Sequence, residues 1–265
     1  MRFGFFDSGI GGLTVLADAA GLYRDCEFVY YGDVLHAPYG TKDRESVLGY
    51  TLRAAETLDA EHIDALVVAC NTATSIAVRR LREIYSFPVI GMEPALKPAL
   101  AGSDGQVLVL ATDLTLKESK FNYLVDTFDA RDRVIRLAMG DLVLFAERGE
   151  FDSPAVEEYI RSRLSTVDLS GVSSVVLGCT HFMYFRRVLA GTLPGRIQIF
   201  DGNMGTVRHA ADLAGVSMYD SPRQFDPGSI RFFLSGILLD SHCRRYYEFR
   251  DAIAKYTEGK VWIGV

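Results

Sequence analysis

Long hydrophobic runs are missing from this sequence: no apolar stretch approaches the roughly 18 residues that a membrane-spanning helix needs. The opening MRFGFFDSGIGGL puts Asp7 and four glycines where an export signal would need an unbroken apolar segment, so a cytoplasmic location is expected. Positive charge is scarce too. Lys and Arg number 28 against 34 Asp and Glu, the net charge is −6, and no run of like charge occurs, which disfavours the basic footprint of nucleic-acid binding. Only 4 cysteines are present, Cys26, Cys70, Cys179 and Cys243, scattered and without a CxxC pair, so neither a disulfide framework nor a compact zinc motif is encoded. Low-complexity segments are absent, and 49% hydrophobic beside 23% charged residues is the balance of an ordinary folded chain.

What the sequence does contain is a regular alternation. Short apolar runs rich in Val, Ile and Phe are separated by longer amphipathic stretches, the pattern of βα units wound about a parallel sheet. Strands are expected at 3–6, 27–33, 63–69, 87–91, 106–112, 133–138, 173–178, 196–200 and 229–234. Helices are expected between most of them, among these 44–62 and 153–164, the latter with Ser153 as N-cap and Pro154 at its first position. Internal similarity groups these units: ALVVACNTATS (65–75) reappears in outline as SVVLGCTHFMY (174–184), and FGFFDSGIGGLTV (3–15) more weakly as VLVLATDLTLKES (107–119). The offsets, 109 residues between the two cysteines and 104 for the weaker echo, nearly agree, which implies two βα halves with matching loops. The stretch EPALKPALAGSDGQ (93–106) marks the expected boundary, and a second crossing is expected near DGNMG (201–205). The fold class expected is α/β, with two similar doubly wound parallel-sheet domains facing one cleft, 1–96 with 207–265 forming the first and 97–206 the second. Residues 207–265 are too few to make an independent domain of the same type and are expected to return to the first half.

In open α/β sheets, ligands gather beyond the carboxyl ends of the strands, where helix N-termini offer free N–H groups and positive potential. Asp7 and Ser8 follow the first strand, Cys70, Asn71 and Thr72 the third, and Cys179, Thr180 and His181 the matching strand of the second half. DSGIGG (7–12) is neither GxGxxG nor GxxxxGKS/T, and its glycines suit a tight turn and close packing better than a nucleotide phosphate. Cys26 and Cys243 have no local feature that would activate them and read as buried, inert thiols. Cys70 and Cys179, at strand ends beside helix N-termini, are expected to be partly accessible with lowered pKa values. A single thiolate beside a His would suggest a nucleophilic hydrolase or transferase. Two related thiols on opposite walls suggest one base and one acid working on opposite faces of a carbon, as inversion of a stereocentre requires. Asp7 in the first half and His181 in the second are available to take and return the thiols' protons. A metal held by Cys70, Cys179, His181 and a carboxylate is the competing reading. The plainer readings are a hydrogen-bonded core histidine at His181, an exposed helix end at Glu147, and a packing face at FMYF (182–185).

In their order and spacing, FFDSGIGGLTVL, YYGDVLHAPYGTK, VVACNTAT, EPALKPA, AERGE and VLGCTH resemble the cofactor-independent glutamate racemases of bacteria over nearly the whole chain. The resemblance implies two flavodoxin-like domains around a cleft, with Cys70 acting on the D-enantiomer, Cys179 on the L-enantiomer, and Asp7 and His181 as their helpers. Glu147 matches a further catalytic carboxylate, while Asp7, Ser8, Tyr39, Gly40, Asn71, Thr72, Thr180 and His181 match positions that hold glutamate. It further implies an isomerase that makes D-glutamate for peptidoglycan, and so serves cell-wall biogenesis and cell shape. Such enzymes use no pyridoxal phosphate or metal and are often homodimers; no nucleic-acid or membrane partner is expected. The chain departs from the family pattern at LAMGDLVLF, where Cys-Pro or a related pair usually precedes the Glu147 segment, and at GMEPA, where IEPG is commoner. It departs again at FMYF, where a Tyr-Pro-Leu-Leu type sequence usually follows GCTH. Aspartate racemases share the two-cysteine plan but usually carry Glu at the position of His181, which favours glutamate. A non-catalytic amino-acid-binding regulator on the same fold is the alternative from another class, and retention of both thiols and both helpers weighs against it.

Overall fold

The structure, a computed structural model, describes residues 1–92, 95–102 and 104–258. In chain order it begins with β1 (Arg2–Asp7), α1 (Leu13–Leu22), β2 (Glu27–Gly32), α2 (Arg44–Asp59), β3 (Ala65–Val68), α3 (Asn71–Ile84), β4 (Val89–Gly91) and α4 (Leu96–Ala101). A second series follows: β5 (Gln106–Ala111), α5 (Asp113–Lys117), α6 (Ser119–Thr127), β6 (Val134–Ala138), α7 (Asp141–Glu147), α8 (Pro154–Leu164), β7 (Val172–Leu177), α9 (Arg186–Thr192) and β8 (Gln198–Asp201). The chain continues through α10 (Asn203–Ala214), β9 (Arg231–Leu234), β10 (Ile237–Leu238) and α11 (Arg244–Glu258).

Two sheets result, ordered β10-β9-β2-β1-β3-β4 and β6-β5-β7-β8, parallel throughout except for the β10–β9 pair. Leaving β9 and β10 aside, each series places its strands in the order second, first, third, fourth. The sequence echoes therefore fall on equivalent strands, β1 on β5 and β3 on β7. This is the expected α/β class of two doubly wound parallel sheets. All nine expected strands are present. The short β10 was not expected, because two residues carry no readable period. Glu93, Pro94 and Ser103 of the expected boundary lie outside the described residues.

The central strands read as apolar runs because both of their faces are covered. Phe3 and Phe5 of β1 join a core with Leu13 and Leu16 of α1, while Phe6 faces the opposite way onto a second core with Val68 and Leu58. Each fully buried Phe contributes on the order of 1.5–3 kcal/mol. The first of these cores is continuous with Leu108, Leu110, Val175 and Leu177 of the second sheet, so the two sheets share one apolar interior. Helix α1 is buried almost all round because α10 and α11 pack against it. Helix starts follow local chemistry. Asp43 caps α2 by accepting from the Ser46 N–H, and Ser153 caps α8, with Pro154 following it. Among the described residues no helix is long and apolar enough to cross a membrane.

Candidate active site

Residues that follow β1, β3, β5 and β7 line one narrow cleft. Ser8, Cys70, Asn71 and Thr72 come from the first half, Cys179, Thr180 and His181 from the second, and Tyr39 and Gly40 from the loop after β2. Both thiols thus face a common space, although neither is partly accessible as the sequence led us to expect: Cys70 is 5% and Cys179 9% exposed.

Cys70 is itself the N-cap of α3, its Sγ accepting from the Ala73 N–H at 3.4 Å and donating to Ser8 Oγ at 3.6 Å. Burial, followed by the nearby Asp7 charge, nevertheless pushes the thiol up to about 12. The expected lowering is therefore corrected for Cys70, because one helix N–H compensates less than desolvation costs. Cys179 opens a six-residue 3-10 turn, Thr180–Phe185, and not an α-helix, so it lacks the helix N-terminus the sequence suggested.

Its neighbour is His181, whose Nδ1 lies 3.8 Å from Cys179 Sγ. The other ring nitrogen, Nε2, is 2.7 Å from Glu147 Oε1, and that same oxygen accepts from the Ile10 N–H at 2.8 Å. Burial alone pulls His181 down, but the bonds to Cys179 and Glu147 and the charges of Cys179 and Asp7 carry it well above the ordinary histidine value. Glu147, remote in sequence, thus fixes the imidazole from behind and does not line the cleft. Asp7 also stands behind the wall, fully buried, with Oδ1 accepting from Gly9 N–H at 2.9 Å and Oδ2 from Thr180 Oγ1 at 3.0 Å. Burial raises its carboxyl above the usual value, against the His181 charge and those two bonds.

The DSGIGG glycines now have a physical reason. A Cβ on Gly9 would stand 2.6 Å from Glu147 Cδ and 3.0 Å from His181 Nε2, and one on Gly11 would stand 2.8 Å from His181 Cε1. The turn is bare so that side chains from the other half can lie on it.

Tyr39 reaches the cleft with its hydroxyl already donated to Asp33 Oδ2 at 2.6 Å, and Asp33 also meets His36 Nδ1 at 2.8 Å. Burial, with the Asp33 charge, keeps that phenol protonated. Gly40 packs on Thr112, leaving no room for a side chain. Sequence reasoning missed Pro38, Thr112, Thr115 and Val143 as cleft residues. For Thr112 a signal existed: the 104-residue offset carries Ser8 onto it. Thr112, Thr115 and Thr72 form a hydroxyl cluster across the cleft, with Thr115 3.0 Å from each of the other two. Among the described residues no Lys or Arg lines the cleft, so a charged ligand would be held by hydroxyls, amides and backbone N–H groups. Among the described residues no group of three or more His, Cys, Asp or Glu is placed to hold a metal ion. Cys26 and Cys243 are half-buried, less covered than expected, and neither lines the cleft.

Two thiols on one cleft, one backed by an imidazole–carboxylate pair and the other by a hydroxyl and a helix N–H, can exchange protons with opposite sides of a small molecule between them. The family model described as Asp/Glu/Hydantoin racemase matches residues 19–210. The glutamate racemase of Halothermothrix orenii is 46% identical over 254 residues, 96% of this chain and 100% of that protein. Glutamate racemase 2 of Bacillus subtilis is 43% identical over 239 residues, 89% of each chain. Among solved structures, Escherichia coli glutamate racemase in complex with L-glutamate and the activator UDP-MurNAc-Ala aligns with a TM-score of 0.81 at 27% identity, over 96% of this chain and 94% of that one. With its paired thiols on the facing walls of two matched sheets, the chain belongs to the Asp/Glu/hydantoin racemase family.

Proposed function

We infer that this enzyme interconverts L- and D-glutamate, and that it does so with two thiols. The observation that carries the reading is that Cys70 and Cys179 line one cleft and have separate partners, Ser8 and the Ala73 N–H for one, His181 with Glu147 for the other. Likeness at 46% identity to an enzyme named glutamate racemase supplies the substrate.

In the L-to-D direction, His181 takes the Cys179 proton onto Nδ1, with Glu147 holding Nε2 and stabilising the imidazolium. The Cys179 thiolate removes the α-proton, and the Cys70 thiol, protonated at rest, delivers its proton to the opposite face. Product release leaves Cys179 as thiol, Cys70 as thiolate and His181 as imidazolium, and the site resets when His181 gives its proton to solvent and Cys70 takes one up. In the reverse direction the roles exchange, the Cys70 thiolate being stabilised by Ser8 Oγ and the Ala73 N–H; Asp7, whose carboxyl accepts from Gly9 and Thr180, is the proton acceptor proposed for that side. Ser8, Tyr39, Gly40, Asn71, Thr72, Thr180 and His181 form the glutamate site, with Thr112 and Thr115 extending its hydroxyl lining.

The chemistry requires neither pyridoxal phosphate nor metal in this reading. The division into 1–96 with 207–265 and 97–206 is supported by the two sheets, since β9 pairs with β2 and α10 packs against α1. Production of D-glutamate for peptidoglycan, a cytoplasmic location and a homodimer complete the proposal. The test is incubation of purified protein with L-glutamate and, separately, L-aspartate, without cofactor and with EDTA, followed by chiral chromatography. Formation of D-glutamate is expected. Inversion of aspartate alone, or activity abolished by EDTA and restored by a divalent ion, would overturn the reading.

A further inference from the structure

Tyr184, in the FMYF segment that departs from the family pattern, has a hydroxyl that donates to the Ile10 carbonyl at 3.0 Å. Ile10 lies in the glycine turn of the first half, and its N–H is the donor to Glu147 Oε1. One peptide residue is therefore gripped at both ends by the second half. Its carbonyl is held by Tyr184, and its N–H holds the carboxylate that orients His181 against Cys179. The Tyr184 ring is itself fixed, stacked on Phe151 at 4.7 Å and meeting Tyr256 of α11 edge-on at 6.3 Å. Burial, with the Glu147 and Asp7 charges, keeps the phenol protonated and so a donor at any working pH.

We propose that Tyr184 is a positioning residue for the Cys179 side of the reaction. It acts through the Ile10 peptide, holding Glu147 where its oxygen meets His181 Nε2. Cys70 takes no part in this chain of contacts, since its sulfur meets Ser8 and Ala73. Loss of the Tyr184 hydroxyl therefore impairs one wall of the cleft and spares the other. The inference rests on the two-thiol reading of the cleft.

Tyr184→Phe keeps the ring and removes the hydroxyl. Racemisation of glutamate cannot by itself reveal the one-sidedness. Each direction uses both thiols, and because the equilibrium constant of a racemisation is one, kcat/KM changes by the same factor in both directions. Elimination from a glutamate analogue bearing a β-leaving group does reveal it. A single thiolate takes the α-proton, the electrons of that C–H bond form a double bond between Cα and Cβ, and the leaving group departs with the electrons of its bond to Cβ. Cys179→Ala, run in parallel, identifies the enantiomer that Cys179 serves, which is expected to be L. In Tyr184→Phe, elimination from that enantiomer should fall about 5- to 10-fold, the loss of one hydrogen bond, while elimination from the other stays within about twofold. Tyr184→Leu, which also loses the stack on Phe151, should show the same one-sided loss or a larger one. Equal losses for both enantiomers, a loss confined to the Cys70 side, or no change would overturn the proposal. If the wild-type protein racemises no glutamate, the two-thiol reading fails and this inference with it, an outcome distinct from the other three.

Discussion

Gly9→Ala separates folding from catalysis at the glycine turn. The added methyl would overlap Glu147 Oε1 outright and stand 2.6 Å from Cδ, where ordinary contacts begin at 3.4 Å, so the carboxylate must retreat by at least about 1 Å. That movement breaks its bonds to the Ile10 N–H at 2.8 Å and to His181 Nε2 at 2.7 Å together. Glu147 is a flexible side chain at the end of α7, and its head can swing toward solvent, so the cost to folding should stay near one charge-assisted hydrogen bond, about 1.5–3 kcal/mol. The cost to turnover should be larger, because displacing a catalytic support by about 1 Å can reduce the rate about 100-fold. Gly49→Ala is the control. It lies within α2, its nearest neighbour for a new Cβ is Arg53 Nη1 at 3.7 Å, and it should leave activity unchanged while stabilising the fold by about 0.4–1 kcal/mol. Urea unfolding and glutamate racemisation followed by circular dichroism measure both quantities. Gly9→Ala activity within threefold of wild type would refute the assignment of Glu147 as the support of His181.

Three further outcomes are expected. The Cys70 thiol, raised from 9.0 to about 12, keeps in the folded state a proton that the unfolded chain releases near 9. Its stabilising contribution is therefore complete below pH 9 and disappears as the pH climbs toward 12, so Cys70→Ala should flatten the alkaline fall in unfolding free energy, and an unchanged slope would count against it. Rates in both directions should be bell-shaped in pH, set by apparent pKa values of the coupled site, because one thiol must be charged while the other is neutral; a flat profile in folded protein contradicts the scheme. Asp33→Ala removes the acceptor of both Tyr39 and His36 and should destabilise the protein by about 1–3 kcal/mol, with KM rising more than kcat falls; an unaltered KM would show that Tyr39 needs no anchor.

Much of the fold is legible because buried parallel strands announce themselves as apolar runs, and because the repeat of the ACNTA and GCTH segments reflects two sheets of one strand order. The cleft thiols and their neighbours were legible for the same reason, standing at strand ends. The thiol environment was not. A helix N-terminus can be read from local sequence, whereas the burial that raises Cys70 arises from chain packed around it from distant positions. Glu147 lies 137 residues from the Ile10 N–H it accepts, so its place beside His181 exists only once the two halves meet. Thr115 and Val143 carried no signal of their own, since a hydroxyl one turn into a helix and an apolar helix residue are ordinary in sequence.

The pairing of β9 with β2 has a consequence for synthesis on the ribosome. The second sheet is assembled from strands that emerge consecutively between residues 106 and 201, whereas the first leaves one edge of β2 open until residue 234 has been made. Over that interval the nascent chain carries an unpaired parallel edge beside the uncovered apolar surface of α1, the kind of template that invites another strand. The N-terminal half is thus the first to be translated and the last to close, and its safe passage depends on what shields it while the rest of the chain arrives.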